Sequence, residues 1–176
     1  GQTQFRLMNA RTTGLDFVNQ ITETPQNNIM TYQYMYNGAG MAAGDINNDG
    51  LPDLYVAGNT VPNKLFLNKG HWQFEDITRK ATVEDRAGDW KTGVTLADVN
   101  GDGWLDIYVC YSGNTAGEGF RMPVLVDNPR RTNQLFINNG CAPGAIPTFT
   151  ERAKEYGIDA PGTFSTQAYF FDYDRD

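Results

Sequence analysis

The chain has 176 residues, 40% of them hydrophobic and 12% aromatic, with 19 scattered glycines, a turn-rich composition that supports a packed core and excludes a disordered chain. No run approaches the roughly 20 apolar residues of a membrane helix, and no basic stripe or matching motif points to nucleic acid as a partner. The formal charge of −7 is localised: nine of the 21 acids lie in three short clusters, and the remaining 12 face 14 Lys and Arg.

In chain order, Phe5-Arg-Leu-Met-Asn9 and then Gly14-Leu15-Asp16 echo Phe74…Val83-Glu84 and Phe149…Ile158-Asp159. The chain is therefore expected to enter on the last strand of one unit, with an N-terminal insert running to residue 36. Tyr32, Tyr34 and Tyr36 alternate and would share one strand face, where a packing stripe is favoured over a sugar-stacking platform. A first full repeat spans 37–92, a second 93–166 with an insert at 111–132, and a third starts at 167–176. Gly40-Met-Ala-Ala-Gly-Asp45-Ile-Asn-Asn-Asp-Gly-Leu-Pro-Asp53-Leu-Tyr-Val56 matches Gly93-Val-Thr-Leu-Ala-Asp98-Val-Asn-Gly-Asp-Gly-Trp-Leu-Asp106-Ile-Tyr-Val109. The third copy is Gln167-Ala-Tyr-Phe-Phe-Asp172-Tyr-Asp-Arg-Asp176. The spacing of the first Asp is 53 residues and then 74, and the excess falls in the connections, most of it before Asn138.

Each unit reads as strands. Residues 54–56 and 107–110 are short β-branched and aromatic runs just after an Asp-Gly turn, and 65–67 and 135–137 are bounded by Asn and Gly. Residues 74–78 and the segment before each Asp loop supply two more. Four short antiparallel strands per unit make the expected fold all-β, a partial β-propeller with two to three blades visible of a seven-bladed ring. The chain is accordingly expected to be a stretch of a longer polypeptide, with the third loop incomplete.

The chemistry lies in Asp-x-Asn-x-Asp-Gly-x-x-Asp. Oxygens of Asp45, Asn47, Asp49 and Asp53, with the Leu51 carbonyl, can converge when the chain curls at Gly50. Asp98, Asn100, Asp102 and Asp106, with the Trp104 carbonyl, repeat the arrangement around Gly103. Asp172, Asp174 and Asp176 fill the first three side-chain positions of a third loop. Packed carboxylates repel unless a cation sits among them, and a set of hard oxygens without His or Cys selects Ca²⁺ over zinc or copper. A helical EF-hand is rejected: it needs Glu at position 12, where Val56 and Val109 stand inside strand-like runs. A metal-free Asx-rich turn competes with a single copy but poorly with two copies that share ligand positions and flanks.

These residues resemble the FG-GAP or VCBS repeat family, which includes the integrin α-subunit propeller. Residues 37–55, 133–140 and 170–176 are most similar to bacterial surface proteins related to cartilage acidic protein and the ASPIC/UnbV group. The resemblance implies an exported calcium-binding propeller, often tethered to the outer membrane as a lipoprotein. It also implies a protein or glycan partner at the cell surface, with an outer-membrane transporter or assembly factor as a further partner.

The remaining candidates are weaker. His71, the single histidine, is expected on a surface turn, and Cys110 and Cys141 are expected as free thiols. Arg121, Arg130 and Arg131 in the 111–132 insert are candidate ligand-binding residues, weighed equally against a solvated loop. No nucleophile–base pair stands out, so a non-enzymatic scaffold is favoured over a propeller-framed polysaccharide lyase or hydrolase.

Overall fold

The computed structural model describes residues 5–25, 28–30, 32, 34–86, 88–112 and 129–174. Two four-stranded antiparallel sheets carry the chain, each a simple meander. The first runs β1 (Met41–Gly44), β2 (Asp53–Val56), β3 (Lys64–Asn68) and β4 (Phe74–Asp76); the second runs β5 (Lys91–Ala97), β6 (Asp106–Tyr111), β7 (Gln134–Asn138) and β8 (Phe149–Glu151). Each strand lies in one of the short apolar runs that predicted it.

The period-2 alternation sets the packing. Tyr55 pairs with Leu65 on one face of the first sheet, and Leu54 pairs with Phe66 on the other. Tyr55, Leu65, Leu67 and Ile77 meet Val94, Ile107, Val109, Phe136 and Phe149 of the second sheet in one buried cluster. Fully burying such a side chain is worth about 1.5–3 kcal/mol, so the sheet-to-sheet face is the main source of cohesion. The other face of the second sheet buries Tyr108, Cys110, Leu135 and Ile137, against which Ala168 packs.

The innermost strands β1 and β5 approach at glycine. The Gly40 N–H donates to the Thr92 carbonyl, and a Cβ on Gly40 would lie 2.5 Å from Val94 N. The repeat-equivalent Gly93, beside a register shift in β5, stands in the same relation to the chain at 166–167, where a Cβ would lie 2.6 Å from the Thr166 carbonyl oxygen. The start of the third repeat thus sits beside β5 where a next inner strand would sit.

Three sequence expectations change. Residues 5–9 form no strand; a short helix α1 (Ala10–Thr13) follows, ended by left-handed Gly14 at φ +77°. The same turn recurs after β4 and β8, with Thr82 at φ +60° and Gly157 at φ +68°, so the N-terminal segment keeps the repeat's turn without its strand. Tyr32, Tyr34 and Tyr36 lie in coiled backbone with bonds from Met35 N to the Tyr32 carbonyl and from Asn37 N to the Tyr34 carbonyl. Alternation loses its meaning there: Met35 is buried, Tyr34 and Tyr36 are exposed, and Tyr32 stands edge-on to Trp90 at 5.0 Å. Residues 167–171 carry no strand either; they are held beside β5 by side-chain bonds such as Gln167 Nε2 to Thr95 Oγ1 at 3.1 Å. Both cysteines are free, Cys110 buried and Cys141 half-buried, and burial pushes the Cys110 thiol up to about 11.

Candidate metal centres

The two Asp loops connect β1 to β2 and β5 to β6. In each, the first Asp folds the loop around itself. Asp45 accepts the Asp49 and Gly50 N–H groups at 3.1 and 2.7 Å; Asp98 accepts those of Asp102 and Gly103 at 3.1 and 2.8 Å. The curl closes through Gly50 and Gly103 at φ +85° and +87°, a conformation that costs glycine nothing. The fifth residue accepts the N–H of the seventh: Leu51 to Asp49 and Trp104 to Asp102, both at 2.9 Å.

The last Asp of each loop is a buried clamp. Asp53 accepts Ile46 N at 3.0 Å and Asn68 N at 2.7 Å; Asp106 accepts Val99 N at 3.0 Å and Asn138 N at 2.8 Å. Each ties its loop to the third strand of its own sheet. Burial pushes the Asp53 carboxyl up to about 6, the two N–H bonds oppose the shift, and the Asp49 and Asp45 carboxylates add to it. Asp106 shifts upward for the same reasons, with Asp102 and Asp98 as the neighbouring charges.

Sequence reasoning did not assign Asn68 and Asn138, although their place in the repeat is a visible signal. Their side chains donate to the carbonyls of Pro52 and Leu105 at 2.9 and 3.2 Å, and their Oδ1 atoms accept Gly70 N and Gly140 N.

The third ligand position separates the loops. Asn47 Nδ2 donates to Asp49 Oδ2 at 3.1 Å and Asn100 Nδ2 to Asp102 Oδ2 at 2.8 Å. Asn100 is exposed and its Oδ1 accepts Asp102 N at 3.1 Å, whereas Asn47 is fully buried and its Oδ1 has no hydrogen-bond partner. Among the described residues no three carboxylates, imidazoles or thiols converge into a metal cage as they stand; the donors are grouped loop by loop with the amides turned toward the carboxylates. A buried acceptor without a partner costs about 1–3 kcal/mol, and a cation shared with Asp49 would satisfy it. The first loop therefore fits a hard cation on its own chemistry.

The other candidates fall elsewhere. Asp172 and Asp174 are exposed at the end of the described chain; Asp176 lies outside the described residues, as does Arg121. Arg130 is exposed on a short 3₁₀ turn (Pro129–Arg131). Arg131 is buried with its guanidinium 4.2 Å over the Phe164 ring, a packing position. His71 is exposed in the β3–β4 turn.

Residues 45–109, from the first ligand of one loop to the strand after the next, match the FG-GAP-like repeat family model. The chain is also similar to cartilage acidic protein 1 of Xenopus tropicalis, at 41% identity over 70 residues that cover 40% of this chain and 11% of that protein. The Mus musculus protein of the same name is 37% identical over 70 residues, with the same coverage. That of Homo sapiens is 37% identical over 70 residues, 40% of this chain and 10% of that protein. The matched stretch thus spans about a tenth of these relatives.

Proposed function

We propose that this chain is a calcium-stabilised, non-enzymatic binding module of a protein that works outside the cell. One cation would be held by Asp45, Asn47, Asp49, Asp53 and the Leu51 carbonyl, a second by Asp98, Asn100, Asp102, Asp106 and the Trp104 carbonyl. Asp172, Asp174 and Asp176 begin a third set. The carrying observation is the buried, unpartnered Asn47 Oδ1 beside a loop carboxylate. Turning that amide would set its oxygen against Asp49, an arrangement that only a cation makes favourable. The ion would supply charge neutralisation and a cross-link of each loop, and the hard-oxygen donor set favours calcium.

Support for a binding role comes from where the other buried acids go. Asp85 pairs with Lys91 and Asp89 with Arg86, so their charges are spent on structure. The resemblance to FG-GAP-like repeats and to cartilage acidic protein 1 supports the extracellular setting, where calcium sites with dissociation constants of about 10⁻⁴ to 10⁻³ M are filled. A surface protein or glycan is the partner class proposed. Tethering to the outer membrane belongs to the same reading.

Calcium titrated into chelator-stripped chain should bind at two sites by calorimetry. Saturation at 100 times the dissociation constant should stabilise the fold by about 2.7 kcal/mol for each site. Asp49→Ala and Asp102→Ala should each remove one site and shrink the gap between melts in calcium and in EDTA. Identical melts in both conditions, with no heat of binding, would remove calcium from the account.

A further inference from the structure

The two Asp loops share a sequence pattern but not a setting. In each repeat the turn between the third and fourth strands packs on the seventh residue of its own loop: a Cβ on Gly70 would lie 3.9 Å from Leu51 Cδ1, and one on Gly140 would lie 3.1 Å from Trp104 Nε1. The first turn, residues 69–73, ends there. The second, residues 139–148, is five residues longer and reaches across to the preceding loop. Gly144 N donates to the Asn47 carbonyl at 3.1 Å, Gly144 stands against Asp49, whose Cβ is 3.9 Å from the position its own Cβ would take, and the Asn138 side chain donates to the Ile46 carbonyl at 3.0 Å. From the first loop, Asn48 in the left-handed region at φ +54° donates its side chain to the Gly103 carbonyl at 3.3 Å; the equivalent in the second loop is Gly101, which has no side chain to donate. Ile46 and Asn47 are both fully buried, while Val99 is half-buried and Asn100 exposed.

We infer that the 139–148 turn is a lid on the first loop, which makes 45–53 a slowly exchanging cation site. The inference rests on the calcium reading above. Asp45 and Asp98 each accept the N–H groups of the fifth and sixth loop residues, and Asp98 accepts Gly101 N as well, so the added hold on the first loop comes from the second repeat's turn. A cation leaving the first loop must wait until the Gly144 and Asn138 bonds open, and a site behind two added hydrogen bonds should release about tenfold or more slowly.

The test is stopped-flow release of calcium from the intact chain into a fluorescent chelator. Two phases of equal amplitude, separated by about tenfold or more, are expected. Replacing 139–148 by Lys-Gly-His-Trp-Gln, the chain's own 69–73 turn, removes the Gly144 bond but keeps that of Asn138, and should move the slow phase toward the fast rate while leaving the fast one in place. Amide exchange of the unmodified chain in calcium gives the same answer without a variant: residues 48–51 should exchange about tenfold or more slowly than 101–104. Two bound ions released at one rate, equal exchange in both loops, or a slow phase unmoved by the shorter turn would overturn the lid while leaving calcium binding intact. A chain that binds no calcium at all would overturn the calcium reading, and the lid with it.

Discussion

The two ends of the paired sheets repeat to different degrees. At the Asp-loop end the repeats share the curl around Asp45 and Asp98 and the clamps made by Asp53 and Asp106. At the other end one network recurs, with Asn63 donating to the Tyr55 hydroxyl and that hydroxyl to the Val83 carbonyl as Asn133, Tyr108 and Ile158 do in the second sheet, but the contacts that join the sheets do not. Lys91 and Asp85 form a buried ion pair at 2.5 Å, where the residue equivalent to Lys91 in the first repeat is Gly38. Asn19 and Asn59 exchange bonds at 2.8 and 2.9 Å, and Arg86 stacks 4.3 Å over the Tyr111 ring. The contrast teaches that the repeated bonds fix the shape of a unit, whereas the unrepeated contacts fix which unit follows which.

The largest effect should come from breaking the unrepeated contacts. The Lys91 side chain is 0% exposed and that of Asp85 4%, so removing one partner strands a buried charge at a cost of about 3–5 kcal/mol. Lys91→Met should lower the urea midpoint accordingly. Adding Asp85→Asn should recover most of the loss, because the amide oxygen can still accept Asn63 N, now held at 2.9 Å by the carboxylate. A single variant that unfolds at the wild-type midpoint would show that the pair does not lock the sheets.

Next come the repeated glycines at the inner strands. Gly40→Ala would drive a methyl group against the β5 backbone, 2.5 Å from Val94 N, with an expected cost of about 1–3 kcal/mol. Gly93→Ala meets the chain at 166–167, which no strand pairing fixes, and should cost less. Equal losses in thermal melts would mean that the start of the third repeat is as firmly held as β5.

How much of this was legible in the sequence follows the same divide. The eight strands and both loops were readable because alternation and the Asp-Gly spacing are local signals repeated twice. The Lys91–Asp85 pair was not, since a lysine in the stretch Gly88-Asp89-Trp90-Lys91 carries no periodicity and its burial is decided by the packing of two sheets. The burial of Asn47 was equally hidden, because the group that bonds its carbonyl, Gly144 N, lies about a hundred residues along the chain. Tyr32, Tyr34 and Tyr36 show the converse error: their alternation was real, but no neighbouring strand was there to give it meaning.

The smallest effect concerns one task done by different residues in the two sheets. In the first, Asp76 Oδ1 accepts Thr78 N and the Thr78 hydroxyl at 3.1 and 2.6 Å, and that hydroxyl accepts Leu65 N at 2.9 Å. In the second, Glu151 Oε1 alone accepts Leu135 N and Ala153 N at 3.2 and 3.0 Å. The longer side chain spans the gap that the Asp–Thr pair bridges. Thr78→Ala should therefore cost about 1 kcal/mol by leaving Leu65 N without its acceptor, and Asp76→Glu added to it should restore the loss by copying the second sheet. Burial raises the Asp76 carboxyl, but the bonds from Thr78 and Lys64 outweigh it and hold the group below its ordinary value of 3.8. A depressed carboxyl contributes stability that is present above the unfolded value and is lost as pH falls through the folded one. The stability difference between wild type and Asp76→Asn, measured by urea melts, should thus be constant near neutrality and shrink below about pH 3.8. A double variant no more stable than Thr78→Ala, or a difference that grows in acid, would show that the two sheets do not solve the same problem.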